Sequence, residues 1–300
     1  MTLVKSSQPE LSRTTRSLRG YLYIAAATFF WGVSATMGRA VFTGRLLFGG
    51  QAVGSIDPLI LSQSRTTLSL LFLLPVLSAR RGWRSLKLPR ADIASMALLG
   101  VVGLASANYF YYLSIQKTNV ATAITVQYTA PVWVLLYMVA RGFQKPTIQK
   151  LAAVALAVIG IAIAIGAFSS GSIHLNSIGV VAALLAAFSY AFYNVSGHSM
   201  VERHDHWTVM LYMLLAAAVF WLILNPPWKI VAAHYSATQW LFLAVFSLTS
   251  MLIPFSFYFA GLRYLEPTRA VVTSCLEPIF SILIAAVVLG ETVRPVQSVG

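Results

Sequence analysis

Nine apolar runs, separated by short connectors, dominate this chain. A helix needs about 20 mostly apolar residues to cross a lipid bilayer, and each run has about that length. Backbone N–H and C=O groups find no water inside a bilayer, so such runs must be helical. None of the connectors is long enough to hold a soluble catalytic domain. We therefore predict nine complete transmembrane spans, at residues 20–42, 57–78, 92–114, 118–140, 149–168, 177–200, 206–226, 238–263 and 267–289.

The few charges of the chain indicate how it is oriented. Only 10% of the residues are charged, whereas a soluble domain carries about a quarter. The net charge of +13 would suggest nucleic acid as a partner of a soluble protein. Here the Lys and Arg residues lie between the apolar runs, so we expect a lipid bilayer and no nucleic acid. A cytoplasmic N-terminus puts fifteen of them inside and four outside, which is the orientation that we predict.

The two halves of the chain resemble each other. Residues 110–131 match residues 257–278 at an offset of 147, which pairs Pro131 with Pro278 and several aromatic positions. The first half holds five spans, an odd number, so the second half must lie inverted relative to the first. Inverted repeats that meet around a site near the membrane midplane are a recurring transporter design. The expected division is a cytoplasmic tail at 1–19, a first five-helix repeat at 20–168 and a second, inverted repeat at 177–300.

Short motifs occur in the same order as in a known family. They are Ala27, Trp31 and Gly32 in the first span, Arg65 in the second, Phe110, Tyr111, Tyr112, Ala121 and Pro131 in the third and fourth, and Phe257, Tyr258, Ala270, Glu277, Pro278, Leu289, Gly290 and Glu291 in the second half. With these motifs the chain resembles the EamA-type transporters of the drug/metabolite transporter superfamily. Among them it looks most like the bacterial aromatic amino-acid exporters.

The resemblance implies an all-α integral membrane fold of ten helices, with inverted repeats of five transmembrane helices, in the bacterial inner membrane. It also implies a central cavity and alternating access. Nine complete spans precede Gly300, where the tenth helix of the family would begin. Phe143 stands in the first half where the second half has Glu291, so the Gly-Glu signature occurs once.

Polar and aromatic side chains inside the apolar spans are the predicted solute site. Tyr190, Tyr193 and Asn194 share one face of the sixth span, opposite Trp31 of the first span. Aromatic walls with a few polar tips suit an amphipathic or aromatic solute. Core packing and an interfacial aromatic belt are the alternatives. The predicted substrate-binding residues are Trp31, Asn108, Tyr111, Gln127, Tyr190, Tyr193 and Asn194.

Ionisable groups at membrane depth are candidate functional residues, because a charge inside lipid has a high free-energy cost. Glu277 lies about ten residues into the ninth span, where it would carry a coupling proton, bind a substrate ammonium or pair with an Arg. Arg65 lies nearer the outer end of its span, so we expect it to snorkel to the membrane surface. Pro131 and Pro278 occupy equivalent places in spans 4 and 9, so each is a candidate hinge or a static kink.

The favoured function is a secondary transporter that exports aromatic and other neutral amino acids, or related small metabolites. The chain lacks a GxxxxGK[ST] motif, so ATP is not the direct driver. We expect no cofactor and no metal, because the cluster at 203–206 has no obvious further ligands. The alternatives are a nucleotide-sugar or sugar-phosphate carrier and, in another class, a membrane-embedded transferase. We expect no enzymatic activity, and a monomer or weak homo-oligomer that handles a small-molecule solute.

Overall fold

The described chain is helical apart from one short hairpin. Two-residue strands, β1 (Leu47–Phe48) and β2 (Gln51–Ala52), pair antiparallel in the connector after the first helix. A short helix, α10 (Pro227–Ala232), lies in another connector and was not predicted. The computed structural model describes residues 13–42, 47–48, 51–53, 56–82, 87–118, 120–165 and 176–290.

Each predicted span corresponds to one helix or to a pair of helices in line. Seven of these helices or in-line helix pairs are long and apolar enough to cross a membrane. The other two are α1, with polar residues along its length, and the shorter α7. The all-α membrane fold is thereby confirmed. The helices are α1 (Arg13–Phe42), α2 (Pro58–Arg81), α3 (Arg90–Leu98), α4 (Ser106–Lys117), α5 (Val120–Gln127), α6 (Ala130–Ala140), α7 (Ile148–Ala164), α8 (Ser177–Arg203), α9 (His206–Leu224), α11 (Ala237–Ser247), α12 (Ile253–Leu262), α13 (Pro267–Ser274) and α14 (Glu277–Leu289).

Side-chain caps fix where several of these helices begin. The Asp57 carboxylate accepts from the backbone N–H groups of Leu59 and Ile60 at the start of α2. Asn176 caps α8 and Asp205 caps α9 in the same manner. These residues satisfy N–H groups that a helix leaves free in its first turn. The spans therefore begin at polar residues, although their interiors are apolar.

Spans 3 and 8 contain π-helical segments at equivalent positions. In span 3 the segment π1 (Leu99–Ala105) joins α3 to α4, and in span 8 the segment π2 (Leu248–Leu252) joins α11 to α12. The last residues of these two segments, Ala105 and Leu252, are 147 residues apart, which is the offset of the sequence repeat. Such wide turns are rare and often occur at functional sites.

Spans 4 and 9 are broken at equivalent positions too. The α-helix stops at Gln127 and resumes at Ala130, and in the second half it stops at Ser274 and resumes at Glu277. The sequence predicted continuous helices bent by proline. Instead, Pro131 and Pro278 lie in the first turn of α6 and α14. A missing N–H removes no helical hydrogen bond in the first turn, so proline suits the start of each half-helix.

The first span of each repeat packs against the other repeat. Helix α1 lies against α12 and α14, whereas α8 lies against α4, α5 and α6. Two glycines permit close approach: a Cβ at Gly32 would lie 2.8 Å from Cβ of Phe280, and one at Gly103 would lie 3.2 Å from Cβ of Tyr193. These contacts between the two repeats bring spans 1, 3, 4, 6, 8 and 9 together at the centre.

Helix α7, which is rich in Ala, lies at the periphery. Its large side chains are mostly uncovered, with Leu156 70% exposed. Elsewhere Ile223 of α9 and Val287 of α14 are 78% and 85% exposed. Apolar side chains uncovered along whole helices suit a surface whose solvent is lipid.

Ion pairs connect helix ends on one face of the bundle, called here the basic end. Arg203 and His204 both contact the Asp92 carboxylate, at 2.7 and 2.8 Å. Arg81 lies 2.6 Å from Asp205. A further pair, between Lys150 and Glu266 at 3.1 Å, joins the start of α7 to the connector before α13. Residues of the 203–206 cluster thus hold helices together at this end.

Candidate functional site

An aromatic core fills the centre of the bundle. The Trp31 ring lies 5.2 Å from Tyr258 and 5.3 Å from Phe255, measured between ring centroids. Tyr193 stacks on Tyr258 at 5.9 Å and meets Phe255 and Phe259 edge-on. Offset and edge-to-face ring pairs of this kind add packing energy beyond their buried area. Spans 1, 6 and 8 are thereby joined through aromatic contacts.

Asn194 is completely buried beside this core. Its amide donates to the Tyr190 carbonyl at 2.8 Å, and its Oδ1 accepts from the Tyr258 hydroxyl. Trp31 and Tyr193 are also buried, at 8% and 1% exposure. Three of the predicted substrate-binding residues are therefore packed within the protein in this conformation, with almost none of their surface open to a solute.

The other predicted residues have part of their surface uncovered: Gln127 and Glu277 border the two helix breaks, whereas Asn108 and Tyr111 lie in α4 and Tyr190 lies in α8. Glu277, at the start of α14, interacts with the Tyr128 hydroxyl as a hydrogen-bond acceptor. Tyr111 and Tyr190 lie near enough to interact with the same carboxyl electrostatically. The Tyr190 hydroxyl is also 3.3 Å from Oγ of Ser274 in the span 9 break.

Arg65 completes this group from the second span. One of its Nη atoms donates to Oδ1 of Asn108, whose amide in turn donates to the Leu104 carbonyl at 2.7 Å. Arg65 also interacts electrostatically with Glu277 and Tyr111. The snorkelling expectation is therefore wrong for Arg65, because its guanidinium is held by a side chain of span 3. We call Arg65, Asn108, Tyr111, Tyr128, Tyr190 and Glu277 the charged cluster.

Gln127 lies at the end of α5, beside Tyr128, and is half-buried. None of the hydrogen bonds found within the described residues uses its side-chain amide. At the repeat offset of 147, Gln127 corresponds to Ser274, which lies in the same place before the second break. The two breaks therefore present polar side chains from both halves to one region.

Sequence reasoning missed Tyr128 and the inward role of Arg65. Tyr128 follows a predicted site residue, but its hydroxyl becomes relevant only where the break turns it toward span 9. Tyr258 was recognised in a motif, not as a partner of Asn194. It is the repeat counterpart of Tyr111, and that symmetry was the one available signal for its central position.

The charge at this depth and the broken spans define the class of protein. Arg65 lies seven residues into α2 and Glu277 ten residues after Pro267, or roughly 10 and 15 Å from the helix starts. Interrupted helices that bring polar groups together near the midplane are characteristic of membrane transporters. The fold and the site are thus those of a multi-pass transporter with two repeats.

The EamA-like transporter family model matches residues 18–166 and again residues 177–300. The chain therefore belongs to the EamA-like transporter family. The resemblance drawn from the motifs is confirmed, whereas the preference for aromatic amino acids stays a prediction.

Individual relatives are also transporters. The "Threonine/homoserine exporter RhtA" of Escherichia coli is 29% identical over 255 residues, 83% of this chain and 81% of that protein. The "Uncharacterized inner membrane transporter YicL" of Salmonella typhimurium is 26% identical over 67% of each chain. One solved structure, described only as "Crystal structure of protein", has a TM-score of 0.74 at 18% identity and covers 96% of this chain and 93% of its own. At that identity the solved structure supports the fold alone.

Proposed function

We propose that this protein is a secondary transporter that exports amino acids or related small metabolites by alternating access. The charged cluster is the observation that carries the proposal. A carboxylate, a guanidinium and three tyrosines converge where two broken spans meet. Charged groups are kept at membrane depth chiefly where they serve a solute or ion pathway.

The relatives favour amino acids as the solute. RhtA is named for the export of threonine and homoserine, which are small neutral amino acids. The tyrosines of the charged cluster suit an amphipathic solute, so larger neutral and aromatic amino acids belong in the proposed range. We further propose that the basic end faces the cytoplasm of a bacterium, since Lys and Arg concentrate in its connectors.

The predicted residues take two different roles in this proposal. Asn108, Tyr111, Gln127, Tyr190 and Glu277 are proposed to contact the solute, because they lie in the charged cluster or beside a break with part of their surface uncovered. The buried residues Trp31, Tyr193 and Asn194 are proposed to hold spans 1, 6 and 8 together, and to reach the solute only in another conformation. Pro131 and Pro278 are proposed to keep the half-helices separate so that the breaks can flex.

The alternatives have less support. A carrier of nucleotide sugars or sugar phosphates needs several cations around the phosphate. Arg65 is the one basic side chain that the described structure brings to the charged cluster, and Glu277 would repel a phosphate there. A transferase would need clustered acidic or His groups near the surface. Asp205, the acidic residue of the 203–206 region, and Asp92 beside it instead form ion pairs between helix ends.

Transport by the purified protein in liposomes tests the proposal. Radiolabelled L-threonine, L-phenylalanine, L-tryptophan and L-methionine are supplied in turn, with gradients in both directions. We expect at least one of them to cross faster than in liposomes without protein, and unlabelled amino acid to compete. Absence of flux for every amino acid and related metabolite, in both directions, would refute the proposed function.

A further inference from the structure

We propose that Arg65 and Glu277 bind the two ends of a zwitterionic α-amino acid, with Arg65 on its carboxylate and Glu277 on its ammonium. This inference rests on the proposed function and specifies how the charged cluster recognises its solute. It adds to the predicted site a residue, Arg65, that sequence reasoning had assigned to the membrane surface.

Arg65 has more N–H donors than the described residues use. A guanidinium carries five N–H donors and cannot be deprotonated in a protein. Within the described residues, Arg65 makes one hydrogen bond, to Asn108, while its Nε is buried without a partner. A buried cationic donor with no acceptor is costly, so an acceptor from outside the protein would find a favourable place there. A carboxylate fits best, because its two oxygens match the guanidinium fork.

Asn108 positions this guanidinium. Its amide is fixed by the Leu104 carbonyl, so its Oδ1 is aimed at Arg65. The Leu104 carbonyl belongs to π1, where the wide turn shifts the hydrogen bonding of the following residues. The irregular backbone of span 3 therefore helps to orient the basic group of the site.

Glu277 supplies the opposite charge. It occupies the first turn of α14, where the free N–H groups of the helix favour an anion. Tyr128 donates to it, and Arg65 is the one charged group acting on it among the described residues. No ion pair in that part of the chain joins Arg65 to Glu277 directly. A purely structural pairing of Glu277 with an Arg, one of the three roles considered from the sequence, would require such a direct contact.

Arg65 and Glu277 influence each other electrostatically without forming an ion pair within the described residues, which suits a molecule that carries both charges. In an α-amino acid the carboxylate and the ammonium flank a single carbon, so their counter-charges must be near each other without touching. Tyr111, Tyr128 and Tyr190 are near enough to interact with Glu277 electrostatically, and aromatic faces also attract an ammonium. One positive and one negative group balance a zwitterion, whereas either alone would repel part of it.

The test compares solutes that differ in one charged end. Flux of the best-transported amino acid is measured in proteoliposomes against its methyl ester, which lacks the carboxylate, and against the matching α-hydroxy acid, which lacks the ammonium. The wild-type protein should be inhibited by the unlabelled amino acid at concentrations at least about tenfold lower than by either analogue. Equal inhibition by all three compounds would overturn the inference.

Variants assign each end to a residue. In Arg65→Gln the preference over the methyl ester should fall toward one, while the preference over the hydroxy acid persists. Glu277→Gln should show the reverse. Lys229→Gln, in the connector helix α10, removes a positive charge that belongs to no contact of the charged cluster and should keep both preferences. Unchanged preferences in both cluster variants would refute the assignment.

A second measurement covers variants that lose transport. Thermal unfolding of detergent-purified protein should be shifted upward by the amino acid and less by each analogue, because ligands stabilise the folded state that binds them. The Arg65→Gln protein should respond equally to the amino acid and its ester. If wild-type liposomes move neither an amino acid nor a related metabolite, the proposed function fails. If they do transport one of these solutes and both preferences are unchanged in Arg65→Gln, only this inference fails.

Discussion

Tyr193 and Tyr258 stack on each other, but their hydroxyl groups have different surroundings. The Tyr258 hydroxyl donates to buried Asn194, whereas the Tyr193 hydroxyl is buried with no partner within the described residues. Tyr258→Phe leaves the Asn194 oxygen unpaired and should lower the free energy of unfolding by about 1–3 kcal/mol. Tyr193→Phe removes an unsatisfied group from the same core, so it should leave stability unchanged or raise it.

Thermal unfolding of the two variants in one detergent checks this contrast, and each serves as the matched control of the other. Equal losses for both would mean that the hydrogen bond to Asn194 contributes nothing. The residue types of the site could be predicted, because polar groups in apolar spans are rare. Their partners could not, since the contacts of Arg65 with Asn108 and of Glu277 with Tyr128 depend on how helices are rotated.

The broken spans carry the next prediction. Pro131→Ala and Pro278→Ala restore an N–H and permit the helix to run through each break, which should stiffen spans 4 and 9. We expect turnover to fall about tenfold while the half-saturating solute concentration changes little, because the residues of the charged cluster remain. Pro75→Ala is the control, since Pro75 lies inside continuous helix α2 and is exposed. Normal turnover in both break variants would contradict a hinge role.

Elements were predictable to the extent that they are apolar and long. A run of about 20 apolar residues has one low-energy structure in lipid, so the spans followed from the sequence. The interruptions did not follow, because two non-helical residues such as Tyr128 and Thr129 change neither length nor hydropathy. Proline indicated where each span is interrupted but not the structure of the interruption, since it is compatible with both a bent helix and the start of a new one.

At the scale of the whole molecule, we expect the ion pairs of the basic end to oppose its opening. Asp92 is 15% exposed and joins α3 to Arg203, the last residue of α8, and to His204 just beyond it. Asp92→Asn removes both pairs and should shift the protein toward a state open at that end. Two partly exposed pairs are worth on the order of 1 kcal/mol, which corresponds to a change of several-fold in population.

Cys275, the single cysteine, reports this shift because it is buried in the span 9 break. In Asp92→Asn its modification by a small thiol reagent should be several-fold faster. Arg80→Gln changes the charge at the same end, at an exposed residue for which no ion pair is found within the described part of the chain, and should label at the wild-type rate. Equal rates for all three proteins would show that the pairs do not restrain the bundle.

The matching irregularities of the two halves bear on ancestry. Segments π1 and π2 end at the same place in their repeats, and so do the two breaks, although few of their side chains agree. If both halves descend from one duplicated five-helix unit, the wide turn and the gap were already present before the copies diverged. Side chains such as Glu277 and Asn108, which have Ala130 and Phe255 as counterparts, then differentiated on a backbone that selection left in place.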